Sequence, residues 1–445
     1  MPTIELDDVI AAIPERVVTL CRELRRAGKR GWVVGGCVRD TLVGVPAKDW
    51  DVATDARPEE VQRLFRRVIP TGLKHGTVTV LVGEEAYEVT TLRGEGAYVD
   101  GRRPEEVVFL DDIEQDLARR DFTFNAIAID PLDRVLVDPF GGRDDLAAGV
   151  LRAVGVPLER FCEDGLRILR ATRFAATLEC RVDDATLRAM GEGAALDTLT
   201  RVSAERVHDE WMKSLRAKRP SIAFSLMRQT GVLPLHAPEL DALAGVALEE
   251  GADLWDHTMA VLDACPNDPV LRLAALLHDV GRTDGAEGHD ARGADQAEAL
   301  LSRLKFSNDD RRRAVHVIRH HQVGDPTGWS DADVRRWLVR VSPERFEDVA
   351  ALSVANCLGR GAAPEPMAKA REGLAERARA QLEAGVPLSS RDLAIGGKDL
   401  MNDLGLKPGR HIGVILESLL ETVLDDPSLN ERQRLLELAS AHAKT

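Results

Sequence analysis

No stretch of the 445 residues approaches the ~18–20 consecutive apolar positions that a membrane-spanning helix needs, which excludes a helical span and a membrane partner. The opening segment, MPTIELDDVIAAIPERV, lacks the basic start and apolar centre of a secretion signal and carries acidic side chains instead. A cytoplasmic chain is therefore expected. Cysteine is sparse: Cys21, Cys37, Cys162, Cys180, Cys265 and Cys357 are scattered, with no C-x-x-C pair to hold zinc. Small buried filler is their expected role. Positive charge is also in deficit. A formal net charge of −15 argues against a protein that coats nucleic acid indiscriminately, although Arg102-Arg103, Arg119-Arg120 and residues 213–219 form local basic patches. Neither a fixed-period repeat nor a low-complexity tract is present.

The length points to two to four domains, and a 44% hydrophobic, 30% charged composition is ordinary for cores with solvated surfaces. Short β-branched runs at 32–34, 78–82, 87–91 and 126–129 predict strands, and 57–65 predicts a helix with Pro58 in its first turn. Beyond Pro157 the apolar spacing becomes helical, at 158–178, 204–217, 221–229 and 295–305. The expected class is α+β, with a mixed domain at 1–150 and helical regions at 151–245, 246–360 and 361–445.

The chemistry concentrates between Val33 and Thr54. A predicted strand runs into Gly35-Gly36 and then a helix, where missing Cβ atoms let backbone N–H groups approach a triphosphate and Arg39 adds a charge-assisted contact. Asp49 and Asp51, two apart on a strand-like segment, would turn both carboxylates to one face. Such a pair can hold two Mg²⁺ ions, one activating a hydroxyl and one bridging the triphosphate. Glu88, on the strand predicted at 87–91, is the candidate third carboxylate.

The whole pattern, Gly-Gly-x-x-Arg-Asp-x-x-x-Gly-x-x-x-x-Asp-x-Asp ending at Asp51, resembles the signature of class II nucleotidyltransferases. These are the CCA-adding enzymes, their CC- and A-adding relatives and bacterial poly(A) polymerases. The resemblance implies a polymerase-β-like nucleotidyltransferase head, followed by an all-α neck, an HD-type body and a tRNA-binding tail. It implies Mg²⁺ in the head, ATP and CTP as substrates, and tRNA held at its acceptor–TΨC region. Arg120, Asp121 and Asn125 fall in a segment similar to the second, nucleotide-contacting motif, and 138–142 resembles a springy connector. Glu163-Asp164-x-x-Arg167-x-x-Arg170 matches the base-selecting motif, and 201–206 the neck motif after it.

Residues 163–173 read as one helix, with Asp164, Arg167 and Arg170 close to one stripe. A carboxylate accepts from the exocyclic amine of cytosine or adenine, and a guanidinium donates to ring acceptors; uracil and guanine would leave buried polar groups unpaired. The family gives this role to the pair matching Asp164 and Arg167, with Arg170 and Arg173 nearer phosphate or base. The loop at 93–104 is glycine-rich and carries Asp100, Arg102 and Arg103. It looks like the family's full flexible loop, so both C and A addition are expected; A-only and poly(A) activities stay open as alternatives. Further on, Asp256-His257-Thr258 and His278-Asp279 resemble an HD site, with His289, His320 and His321 as further nitrogens. Asn356 stands where that pattern expects Asp, so the region, with its possible second divalent metal, is either a scaffold with a weak or vestigial metal site or an active HD-type phosphohydrolase. The segment 395–413 resembles the family's tail region, which makes Lys407 and Arg410 candidate contacts for tRNA phosphates. The sequence does not set the oligomeric state.

Overall fold

The computed structural model describes residues 4–442 apart from 74–75, 95–97, 100–102, 105–108, 249–250 and 361–364. The chain divides into two compact units, the first ending at Pro238 and the second beginning at Glu239.

Strands β1 (Gly31–Val34), β2 (Asp51–Thr54), β3 (Val68–Gly72), β4 (Thr77–Val82) and β5 (Glu85–Thr91) are followed by a two-stranded piece, β6 (Tyr98–Val99) and β7 (Arg103–Pro104), and then β8 (Ala128–Asp130) and β9 (Val135–Val137). Seven of them form one sheet in the order β3-β4-β5-β2-β1-β8-β9. β2 and β5 are parallel, and β1 pairs antiparallel with both β2 and β8. β1 is buried at every position, as a central strand with both faces covered should be. Trp32, Val34 and Ala53 pack on one face against Leu92, Ile113, Leu117 and Val154. The predicted helix is present as Pro58–Leu64 with proline in its first turn. The strand expected from 126 starts later, because Thr123–Asn125 first makes a 3₁₀ turn. β3 was not predicted; it is largely exposed and contains Pro70, which an edge strand tolerates.

The run at 158–178 is not one helix. Helix Pro157–Glu163 ends, Asp164 is extended (φ −148°), and helix Leu166–Leu178 begins. A Cβ on Gly165 would lie 2.5 Å from the Leu199 backbone, so the chain breaks where it must press against its neighbour. The second unit, among its described residues, is helical. Near its end, Leu393, Ile395 and Leu400 pack with Ile415, Leu419 and Val423, the last three spaced by fours along helix Arg410–Asp425. Among the described residues no helix is long and apolar enough to cross a membrane. Of the loop residues named above, Asp100 and Arg102 lie outside the described residues. Arg103 pairs with Val99 through the backbone.

Candidate active site

The acidic wall of the site follows from strand register. β1 ends at Val34 opposite Asp51, and in the parallel β2–β5 pair Val52 lies beside Val89. One step back, Asp51 and Glu88 are neighbours on one face. Both line a cavity of about 680 Å³ together with Val34, Gly35 and Gly36. Gly35 has φ +80°, and a Cβ there would come 2.9 Å from Nη1 of Arg120, so the turn needs glycine and the bare backbone leaves room for the arginine. Asp49 is exposed and lines an adjoining cavity with Asp51, Glu88 and Lys48. This corrects one expectation: Asp49 does not share a strand with Asp51, because beyond Val34 β1 gives way to the Gly35-Gly36 turn and β2 begins only at Asp51.

Burial, then repulsion from Glu88 and Asp49, pushes the Asp51 carboxyl up to about 6 against the pull of Arg120. A divalent cation would reverse that repulsion. The three carboxylates are not a preassembled cage, since their oxygens do not all fall within 4.8 Å of one another. Such an open oxygen set fits Mg²⁺, which keeps waters and takes further ligands from substrate phosphates.

The opposite wall is basic. Asp116, almost fully buried, receives Arg119 Nη2 at 2.7 Å and Arg120 Nη2 at 3.4 Å, which aims both side chains. Arg39 Nη1 donates to Asn125 Oδ1 at 2.7 Å, Asn125 Nδ2 donates to Asp121 Oδ1 at 3.0 Å, and Arg170 Nη2 reaches Asp121 Oδ2 at 2.6 Å. Burial alone would raise the Asp121 carboxyl; Arg170, Asn125 and the Phe122 amide outweigh it and hold the group below its ordinary range. Arg173 is fixed by Glu210, Nε to Oε2 2.6 Å. Beneath this network lies Phe174, with the Arg173, Arg39 and Arg170 guanidiniums 3.8, 4.9 and 5.4 Å from its ring centre.

Asp164 and Arg167 both line the cavity, but not as neighbours on one helix stripe. Asp164 sits in the break: its Oδ1 caps the Leu166 amide at 3.0 Å, and its Oδ2 accepts from Arg206 Nη2 at 2.7 Å. Arg167 donates to the Arg160 and Arg119 carbonyls, each at 3.0 Å, and pairs with Glu163. Sequence reasoning missed Asp116, Phe174 and Glu210, and it placed Arg206 in the neck motif without giving it a part in the site. The signal for the last two was helical spacing, since Arg206 and Glu210 are one turn apart on helix Ala204–Ser214.

A second cluster lies in the second unit. His257, His278, Asp279, His289 and His321 come together, none more than 4% exposed. Asp279 Oδ2 is 3.3 Å from His278 Nε2 and 3.9 Å from His257 Nε2; its Oδ1 is 3.1 Å from His289 Nε2 and 3.6 Å from His321 Nε2. Burial and the adjacent His278 push His257 down to about 4, so that ring is neutral near pH 7. Asn356 is buried with its Oδ1 unpartnered. His320 is not in the cluster; its ring lies against His316, 4.6 Å between centroids.

A mixed sheet with a Gly-Gly turn beside paired carboxylates, facing an arginine wall, defines the nucleotidyltransferase class. Residues 31–152 match the poly(A) polymerase head domain, 181–243 the RNA- and SrmB-binding site of polymerase A, and 291–439 tRNA nucleotidyltransferase domain 2. The chain is 31% identical over 439 residues to a CCA-adding enzyme of Ligilactobacillus salivarius, covering 97% of this chain and 98% of that one. A CCA-adding enzyme of Geobacillus kaustophilus is 34% identical over 431 residues, 95% of each. The solved CCA-adding enzyme of Bacillus stearothermophilus in complex with CTP superposes with a TM-score of 0.74 at 28% identity over 97% of both chains. The chain belongs to the class II CCA-adding and poly(A) polymerase family.

Proposed function

We propose that this protein adds CMP and AMP to tRNA 3′ ends, building and repairing CCA without a nucleic-acid template. One observation carries the reading: a single cavity is lined by Gly35-Gly36, by Asp51 and Glu88, and by Asp164 and Arg167. Triphosphate binding, metal binding and base reading thus share one chamber, and near-complete coverage by CCA-adding relatives supports it.

Asp49, Asp51 and Glu88 would hold Mg²⁺, which when bound activates the RNA 3′-hydroxyl and neutralises the triphosphate. The Gly35-Gly36 backbone, Arg39, Arg120 and Arg173 bind phosphate. Asp121 and Asn125 keep Arg39 and Arg170 aimed into the chamber. Asp164, held by Arg206, accepts from the exocyclic amine of cytosine or adenine, and Arg167 donates to the ring. The loop bearing Asp100, Arg102 and Arg103 re-aims that pair when the larger base is due. We assign 1–150 as head, 151–245 as neck, 246–360 as an HD-like body holding a second divalent metal, and 361–445 as the tail that tracks tRNA phosphates with Lys407 and Arg410.

The test incubates purified protein with tRNA transcripts lacking CCA, CA or A, offering CTP and ATP separately and together. Completion of all three ends is expected. Extension only of the transcript lacking A would make this an A-adding enzyme, and long A tails would make it a poly(A) polymerase.

A further inference from the structure

Asp116 has no part in the chemistry proposed above, yet at 1% exposure it is the least exposed of the carboxylates lining the cavity. It lies in helix Ile113–Ala118, and Arg119 and Arg120 follow three and four residues on. Ion pairs at that spacing usually do no more than support a solvated helix face. Two features set this one apart.

The first is the unequal use of its oxygens. Oδ1 accepts from Arg119 Nη2 at 2.7 Å, from Arg119 Nε at 3.0 Å and from the Arg93 amide at 3.2 Å. Oδ2 accepts from Arg120 Nη2 at 3.4 Å. A main-chain N–H has no rotamer to swing away, so Oδ1 is the fixed atom and Oδ2 the softer one. Burial pushes the Asp116 carboxyl up, but Arg119 and Arg120 outweigh it and hold the group below its ordinary range.

The second feature is what the two arginines do next. Arg120 Nη1 donates to the Asn125 carbonyl at 3.2 Å, lies where Gly35 leaves room for it, and pulls on the Asp51 carboxyl. Arg119 closes the helix, where carbonyls have no intrahelical donor. Its carbonyl instead accepts from Arg167 Nη2 at 3.0 Å. The Arg160 carbonyl and Glu163, which also hold Arg167, both lie in helix Pro157–Glu163. Arg119 therefore registers Arg167 against the segment that carries Arg120.

We propose that Asp116 is a positioning residue for nucleotide selection: Oδ2 sets Arg120 beside the triphosphate, and Oδ1 sets Arg119, whose carbonyl carries Arg167. It takes this role provided, as proposed above, that Arg167 donates to the base and Arg120 to phosphate. Phosphate grip and base reading then share one register. A uracil or guanine that presses on Arg167 meets a braced side chain, so the unpaired polar groups keep their cost.

Asparagine separates the two roles. Its one carbonyl oxygen must face the Arg93 amide and Arg119, which turns its Nδ2, a donor, toward Arg120. Asp116→Asn should therefore raise KM for CTP and ATP about fivefold and keep their kcat/KM advantage over UTP and GTP within twofold of wild type. Asp116→Ala releases both arginines, so the same rise in KM should come with an advantage about tenfold smaller. Arg119→Met keeps the carbonyl but loses the guanidinium that holds it, and should shrink the advantage by about threefold to tenfold. The measurement is initial rates of the full chain over a range of each nucleoside triphosphate, on tRNA transcripts lacking CCA and lacking A. Arg167→Ala runs alongside, and melting curves check that each variant is folded. If Asp116→Ala melts below the assay temperature, Arg119→Met against Asp116→Asn decides. An advantage that falls in Arg167→Ala but not in folded Asp116→Ala or Arg119→Met overturns the role of Asp116 and leaves Arg167 as the base reader. An advantage unchanged in Arg167→Ala removes the base reading and the role of Asp116 with it. An equal fall in Asp116→Asn and Asp116→Ala overturns the division between the two oxygens.

Discussion

The two acidic centres of this chain are built on opposite plans. In the first unit, three carboxylates stand at the rim of open cavities, and Asp51 is left with a carboxyl raised to about 6 by burial and by its neighbours. In the second, one carboxylate is sealed among four imidazoles whose far nitrogens are fixed by backbone carbonyls. The first leaves like charges facing one another beside open cavities, whereas the second closes a single carboxylate off from solvent among polar rings.

The largest expected effect breaks the comparison on the catalytic side. Asp49→Ala or Asp51→Ala should each cut CMP and AMP transfer by on the order of 10³-fold, about 4 kcal/mol of barrier, without unfolding the chain. His278→Ala should leave transfer intact. Single-turnover rates on matched tRNA ends decide it: an equal loss in His278→Ala would mean that the two centres cooperate, and transfer within tenfold of wild type in both aspartate variants would remove the metal role from the head.

Next is the base-reading wall. Asp164 is aimed by Arg206 from another helix as well as by its cap on the Leu166 amide. Arg206→Ala should therefore lower kcat/KM for CTP and ATP by roughly tenfold to a hundredfold, about 1.4–2.8 kcal/mol, and narrow their margin over UTP and GTP. Arg206→Lys should recover part of it. If Arg206→Ala keeps full discrimination among the four nucleotides, Asp164 does not read the base.

A smaller effect appears in stability. Asp51 has its carboxyl raised from 3.8 to about 6, so as pH climbs through that window the unfolded chain ionises first and the folded state loses ground. Above pH 6 the cost is complete; below about 4 it vanishes. Without divalent ions, Asp51→Asn should thus melt roughly 5–10 °C higher than wild type at pH 8, with the difference almost gone by about pH 3–4. Adding Mg²⁺ at pH 8 should close the gap by raising wild type. A variant that is less stable at pH 8 would show that Asp51 is held by favourable contacts and that the first centre is not strained.

What was legible in the sequence follows the same division between local and distant causes. Gly35-Gly36, Asp51 and Glu88 could be placed because a turn and two short strands carry their own spacing, and the sheet register only joins them. The helix break at Asp164 was hidden, since apolar periodicity runs on through it and the reason, Gly165 against Leu199, lies far along the chain. Glu210 was missed and Arg206 was read only as part of the neck motif, because both reach the site from another helix. In the second unit the histidines were readable as a set, but not the division of Asp279 between two oxygens, which only packing decides.

Phe174 offers the finest probe of the first centre. One ring edges against Phe122 and Phe124, centroids 5.7 and 5.6 Å apart, and supports three guanidiniums on the cavity side. It thereby joins the core to the arginine wall. Each guanidinium–ring contact is worth about 0.5–1 kcal/mol, but Arg39, Arg170 and Arg173 also keep hydrogen bonds to Asn125, Asp121 and Glu210. Phe174→Leu should accordingly loosen the wall without dismantling it: KM for CTP and ATP rises about fivefold, near 1 kcal/mol, while kcat at saturation stays within twofold. Phe122→Leu is the control. It removes the same kind of ring contact from the core but touches no guanidinium in this set, so it should cost stability and leave KM alone. If both variants shift KM equally, the wall depends on general rigidity of the core; if neither does, the ion pairs alone position the arginines and the ring is filler.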